Sequence, residues 1–129
     1  MNLYNNKIFQ LKKGIYSKQY LLEQMIRFKK FMDEHFAEKI QLGEISKSAN
    51  LSKFHFIRLF RQYYGITPNQ YLIEKRILEA KKLLKSGKSV FESCAAVGFE
   101  SASTFSGLFK KITGVAPIDY YNKKATLKK

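Results

Sequence analysis

The sequence predicts an all-α fold in which two helix-turn-helix subdomains are joined by a long linker helix. Three observations predict it. Apolar residues recur at steps of three and four along most of the chain. Helix start and stop signals cut that pattern into short segments. An internal repeat sets the second half of the chain on the first. No stretch shows the period-two alternation of a half-buried strand.

The elements follow in order. Residues 1–19 mix polar, Lys and apolar residues without clear period and are read as an N-terminal arm. From Tyr20 to about Ala37 the pattern is helical, with Leu22, Met25, Ile26, Phe28, Phe31, Met32 and Phe36 at helical steps. A second helix is expected after Gln41, with Leu42, Ile45 and Ala49 inward, and Asn50 suits the turn that follows. Ser52 is placed to N-cap a helix running to about Tyr64, which Gly65 stops. Thr67 and Pro68 restart the chain as N-cap and first helical residue, where proline's missing N–H has no cost. That helix is predicted to reach Leu84, with Ile73, Ile77, Ala80 and Leu84 on one face and Gly87 as its stop. Two helices follow at about Val90–Val97 and Ala102–Thr113, ended by Gly114 and Pro117, with a short helical piece at Ile118–Tyr121. The implied organisation is a first subdomain at 20–66, a linker helix at 67–86, a second subdomain at 87–123 and a basic tail at 124–129.

The repeat is the most informative feature. At an offset of 49, Ser52 falls on Ser101, Phe56 on Phe105, Leu59-Phe60 on Leu108-Phe109, Gly65 on Gly114, Pro68 on Pro117 and Tyr71 on Tyr120. Upstream the offset is 48, which sets Ser46 on Cys94 and Asn50 on Gly98; one extra residue in Gly98-Phe99-Glu100 accounts for the change. Each copy is therefore a short helix, a tight turn and a second helix. Ser46 and Cys94 supply the small residue that two helices crossing near a right angle need where they touch. Phe56, Leu59, Phe60 and Tyr63, echoed by Phe105, Leu108, Phe109 and Ile112, supply the inward positions of the second helix. This is the pattern of a helix-turn-helix. A duplicated helical hairpin with no nucleic-acid role would also repeat.

Composition narrows the function. At 129 residues the chain is about one domain, or two very small subdomains sharing a linker. Lys and Arg number 24 against 10 acids, a net charge of +14, which favours a polyanionic partner such as nucleic acid or an anionic membrane surface. A lysine-rich proteome would also give such a charge. Cys94 is the only cysteine, so no intrachain disulfide forms, which fits a reducing cytosol. There is no secretory signal pattern and no run near the ~20 apolar residues of a membrane span, so a soluble cytoplasmic protein is expected. No catalytic constellation is present, and neither an enzyme nor a cofactor is expected. A metal at His55 is not expected either, because its ligand set is missing and His35 is distant in sequence. Cys94 has no neighbouring His or second Cys to activate it as a nucleophile. Ser93, where the first repeat has Ile45, would need a backbone acceptor if buried.

With these residues in place, the stretch Gln41–Tyr121 resembles the DNA-binding domain of the AraC/XylS family. The first unit reads LSKFHFIRLFRQYYGITPNQYL, the linker helix EKRILEAKKLL, and the second unit VGFESASTFSGLFKKITGVAPIDYY. The family's Gly-Phe turn, its Phe on the last long helix, and its Phe-Lys, Gly and Pro match Gly98-Phe99, Phe105, Phe109-Lys110, Gly114 and Pro117. With the helix from Tyr20 the resemblance covers most of the chain. The chain looks most like the small members that lack an effector domain, or like the C-terminal fragment of a larger one. The resemblance implies promoter binding that usually activates transcription, with RNA polymerase as an expected partner.

On that reading the second helix of each unit enters the major groove. In the first unit Lys53, Phe54, Ile57, Arg58 and Arg61 remain outward. Arg58 is the leading base reader, able to contact guanine O6 and N7 in bidentate fashion, and it sits where the resemblance puts such an arginine. A structural ion pair is its alternative. Phe54 and Ile57 suit thymine methyls, core packing being the alternative for Phe54. Ser52, Lys53, His55 and Arg61 suit phosphates, which fix register rather than sequence. In the second unit Gly107 stands where Arg58 would fall, although a mid-helix glycine costs roughly 1 kcal/mol. Either base readout is weakened there, leaving Ala102, Ser103 and Ser106 with the phosphate-binding Lys110 and Lys111, or Gly107 lets the helix approach the groove floor. The first is favoured. The linker from Pro68 to Leu84 spans about 25 Å at ~1.5 Å per residue, against ~34 Å between major-groove segments on one DNA face. One monomer could then read two successive segments of an asymmetric site. Tyr71, Leu72 and Arg76 are expected to brace the linker rather than touch DNA. A non-specific basic nucleoid-type protein is the competing reading.

Overall fold

The computed structural model describes the backbone of residues 3–127 and the side chains of residues 18–122. It holds seven helices: α1 (Leu3–His35), α2 (Leu42–Ser48), α3 (Lys53–Tyr64), α4 (Pro68–Lys85), α5 (Val90–Ala96), α6 (Ala102–Thr113) and α7 (Pro117–Leu127). No strand occurs among the described residues, in agreement with the predicted all-α class.

Local chemistry sets most of these boundaries. Ser52, Thr67, Ser89 and Ser101 each N-cap a helix, accepting from the backbone N–H three residues on. At α4 the cap is a full capping box, with Gln70 N–H donating to Thr67 Oγ1 at 3.2 Å and Thr67 N–H to Gln70 Oε1 at 3.0 Å. α3 and α6 end alike, on Gly65 and Gly114 in the left-handed region. The turns between the paired helices hold Asn50 at φ 60° and Gly98 at φ 95°.

Two helices are longer than predicted. The one expected from Tyr20 begins at Leu3, so the segment read as an arm is helical in backbone. No proline interrupts residues 3–35, and Gly14 is the only glycine there. The piece expected at Ile118–Tyr121 is α7, which reaches Leu127. The side chains assigned to positions 1–17 of the arm and to the basic tail lie outside the described ones.

Two cores result. Met25, Phe28 and Met32 of α1 close on Phe56 and Phe60 of α3, with Phe28 edge-on to both rings at 4.8 and 5.8 Å. Ile77, Ala80 and Leu84 of α4 gather Cys94, Val97, Phe105 and Phe109. The small residues Ser46 and Cys94 are buried at corresponding places, as the repeat predicts. Tyr63 and Ile112 are not inward as expected, being 42% and 45% exposed. In the first unit the inner line runs from Phe60 to Tyr64, whose rings lie 4.7 Å apart, and Tyr63 falls off that line. Ser93 is fully buried, and its hydroxyl has no partner among the described residues, so the expected backbone acceptor is missing.

The two units also touch directly. Arg76 of α4 donates from Nε to the Phe36 carbonyl at 2.6 Å and from Nη2 to the Glu38 carbonyl at 3.0 Å, both just past α1. Its guanidinium stands over the Phe99 ring at 5.7 Å, in the turn between α5 and α6. Beside it, a Cβ on Gly98 would lie 2.5 Å from the Ala37 carbonyl oxygen, so only glycine fits without a shift. Burial lowers the Arg76 pKa, with Glu100 acting in the opposite sense.

Candidate nucleic-acid interface

α3 is built to show one face and hide the other. Its start is fixed by Ser52, whose Oγ accepts from the His55 N–H at 3.1 Å. Phe56 and Phe60 then anchor it, and helical spacing turns Lys53, Phe54, Arg58 and Arg61 to solvent. His55 is exposed as well, and Ile57 is half-buried. Phe54 is 80% exposed, which removes core packing as its explanation. Arg58 has no ion-pair partner among the described residues, which removes the structural ion pair. With Phe54 mostly exposed and Arg58 without an ion-pair partner among the described residues, these two side chains form an apolar and cationic pair on one open face.

α6 repeats the arrangement with a different surface. Ser101 caps it, accepting from the Thr104 N–H at 3.3 Å, and its hydroxyl lies 2.9 Å from that of Ser103. Ala102, Ser103, Lys110 and Lys111 are exposed, and Ser106 is half-buried. Thr104, which the sequence reading did not single out, is exposed in the same first turn. Gly107 is exposed too, and a Cβ there would meet nothing within 4 Å. The fold itself therefore does not require glycine at this position.

The charge is sorted by element. Neither α3 nor α6 contains an acidic residue. Some of the acids elsewhere are engaged: Asp33 with Lys29 at 3.7 Å, and Glu79 with Lys75 and Lys82 at 3.4 and 3.1 Å. Between the units lies a cleft of about 690 Å³, lined among others by Lys39, Asn69, Arg76, Ser101 and Thr104. Cys94 is not a reactive thiol: it is buried, burial raises its pKa, and its Sγ faces the Phe99 and Ser101 carbonyls at 3.8 and 3.9 Å. Among the described residues no group of three or more His, Cys, Asp or Glu could hold a metal ion, and no helix is long and apolar enough to cross a membrane.

Two paired-helix units, each offering an acid-free helix face from a buried aromatic base, define a double helix-turn-helix domain. The family model described as a helix-turn-helix domain matches residues 45–123. Over 97 residues the chain is 34% identical to the probable transcriptional regulator LumQ of Photobacterium leiognathi, covering 74% of this chain and 39% of that protein. It matches the DNA-binding domain of AdpA, solved in complex with a target DNA, at 31% identity and a TM-score of 0.69, covering 80% of this chain and 90% of that one. It matches the C-terminal domain of AraT, a response regulator from Geobacillus stearothermophilus, at 27% identity and a TM-score of 0.72, covering 78% and 84%. The chain belongs to the AraC-type helix-turn-helix family of transcriptional regulators. It spans about a quarter to two fifths of the length of the curated relatives it matches.

Proposed function

We propose that the chain binds promoter DNA sequence-specifically as a monomer and regulates transcription, as an activator in contact with RNA polymerase. The observation that carries this reading is the open face of α3, where Phe54 is 80% exposed beside Arg58, which has no ion-pair partner among the described residues, and no acid interrupts the helix. Apolar and cationic groups left free at one helix face match a major-groove edge with thymine methyls and guanine acceptors. Phe54, Ile57 and Arg58 then read bases, and Ser52, Lys53, His55 and Arg61 hold phosphates. In the second unit Ala102, Ser103 and Ser106 read, and Lys110 and Lys111 hold phosphates. With Gly107 in place of an arginine, the first unit leads.

The test is enrichment of a random duplex library on the protein near about 150 mM salt, where exposed charges are already screened. The expected result is one asymmetric motif covering two major-groove segments, blurred at one end by Arg58→Ala. Enrichment of no motif, with binding that collapses as salt rises, would leave only non-specific attraction and overturn the reading.

A further inference from the structure

A helix shared by two units does not by itself fix their relation. α4 gives Tyr71 and Leu72 to the first core and Ile73, Ile77, Ala80 and Leu84 to the second. The handover falls between adjacent residues, Leu72 and Ile73, so α4 alone joins the two units along a single helix axis. The structure adds a second connection that bypasses the helix. Phe36, just past α1, packs against the second core. Arg76 ties the carbonyls of Phe36 and Glu38, at 2.6 and 3.0 Å, to the face of Phe99, 5.7 Å away. The backbone at Gly98 meets the backbone at Ala37 with no room for a Cβ.

Three features make this joint stiff. Its hydrogen bonds end on backbone carbonyls, which cannot change rotamer. Its donor is a planar guanidinium that satisfies both carbonyls and a ring face at once. Its closest approach is backbone against backbone, which yields less than side-chain packing.

We infer that Arg76 is a positioning residue which, with Phe36, Phe99 and Gly98, holds the two reading helices at one spacing and rotation, so that the protein selects DNA sites by the separation between their two halves. The inference rests on the reading that both units engage DNA. Inserting one base pair moves the second half-site by ~3.4 Å and turns it by about a tenth of a turn. A stiff joint cannot follow that motion without losing the contacts of one unit. A loosened joint can, at the cost of weaker binding to the preferred spacing.

The experiment uses duplexes carrying the two half-motifs from the enriched site, at the natural separation and with one or two base pairs added or removed, plus a duplex with the first half-motif alone. The wild-type chain is expected to prefer one separation by about tenfold, which corresponds to ~1.4 kcal/mol. Arg76→Ala should keep its affinity for the single half-motif within about twofold, bind the natural site more weakly, and flatten the preference for separation to about twofold. Arg76→Lys, which keeps the charge but not the fork, should fall between them and serves as the test if the alanine variant does not fold. A folded variant that keeps the wild-type dependence on separation would overturn the inference. So would a wild-type chain that reads both halves but tolerates every separation. A wild-type chain that enriches no motif sinks the DNA reading itself, and is thereby told apart from either result.

Discussion

Tyr71 of α4 donates its hydroxyl hydrogen to Asp33 of α1 at 2.5 Å, and this bond locks the linker helix to the first unit. Lys29 completes the cluster, 3.7 Å from the Asp33 carboxylate and over the Tyr71 ring at 5.4 Å. Burial, then the hydrogen bond and charge of Asp33, raise the Tyr71 pKa well above the usual phenol value of 10.0. A phenol whose pKa is higher folded than unfolded contributes its stability in full below the unfolded value and loses it as pH rises towards the folded one. Wild-type stability should therefore decline above about pH 10, and Tyr71→Phe should remove part of that decline. The same variant should cost about 1 kcal/mol at neutral pH, since the cluster is partly exposed. Urea melts of both proteins from neutral to alkaline pH measure this. An identical pH slope in both would show that Tyr71 does not report the bond.

Two phenylalanines on α3 should behave in opposite ways. Phe60 is fully buried, touching Phe28, Tyr64 and Tyr71, and Phe60→Ala should cost about 3–5 kcal/mol. Phe54, 80% exposed, should change stability by no more than about 0.5 kcal/mol as alanine. Phe54→Ala should instead lower preference for thymine in the enriched motif. Thermal melts separate the first pair of outcomes and library enrichment checks the last. A large destabilisation by Phe54→Ala would return it to a packing role.

Gly107 has room for a side chain, with nothing within 4 Å of an added Cβ. Gly107→Ala should stabilise the protein by about 0.5–1 kcal/mol through helix propensity alone. Gly107→Arg should sharpen base selection by the second unit, at the position matching Arg58. If either variant instead weakens DNA binding while raising the melting temperature, glycine is there for close approach to the groove.

Arg61 and Lys110 occupy matching positions in the repeat, both exposed. As phosphate contacts, each should contribute about one unit to the slope of log affinity against log salt. Alanine at either position should reduce that slope by ~1 and weaken all sequences alike. A change in the selected motif with no change in slope would make the residue a base reader.

Much of this was legible in the chain because the signals were local. Ser52, Thr67 and Ser101 announce helix starts, Gly65 and Gly114 announce ends, and the offset of 49 carries one unit onto the other. The exposure of Phe54, Arg58 and Arg61 followed from helical spacing. What sequence could not give was set by contacts between distant segments. Tyr63 fits the inward pattern as well as Tyr64 does, and only the neighbouring Phe60 ring and the placement of α1 decide between them. Gly98 was read as a turn residue, which its φ of 95° supports, but the clash that a Cβ there would make with Ala37 depends on where α1 ends. The length of α1 escaped because residues 3–17 carry no clear apolar period, although no residue but Gly14 opposes a helix there.

The passage of one helix through two cores has a consequence for how the molecule comes apart. The boundary between the cores lies inside α4, at Leu72 and Ile73, and not in a loop. No cleavage in a loop can therefore release both halves with their interiors complete. A fragment cut before α4 surrenders Tyr71 and Leu72 from the first interior, and one cut after it strips Ile77, Ala80 and Leu84 from the second. Melting should be a single concerted event, and limited proteolysis should not yield two durable pieces.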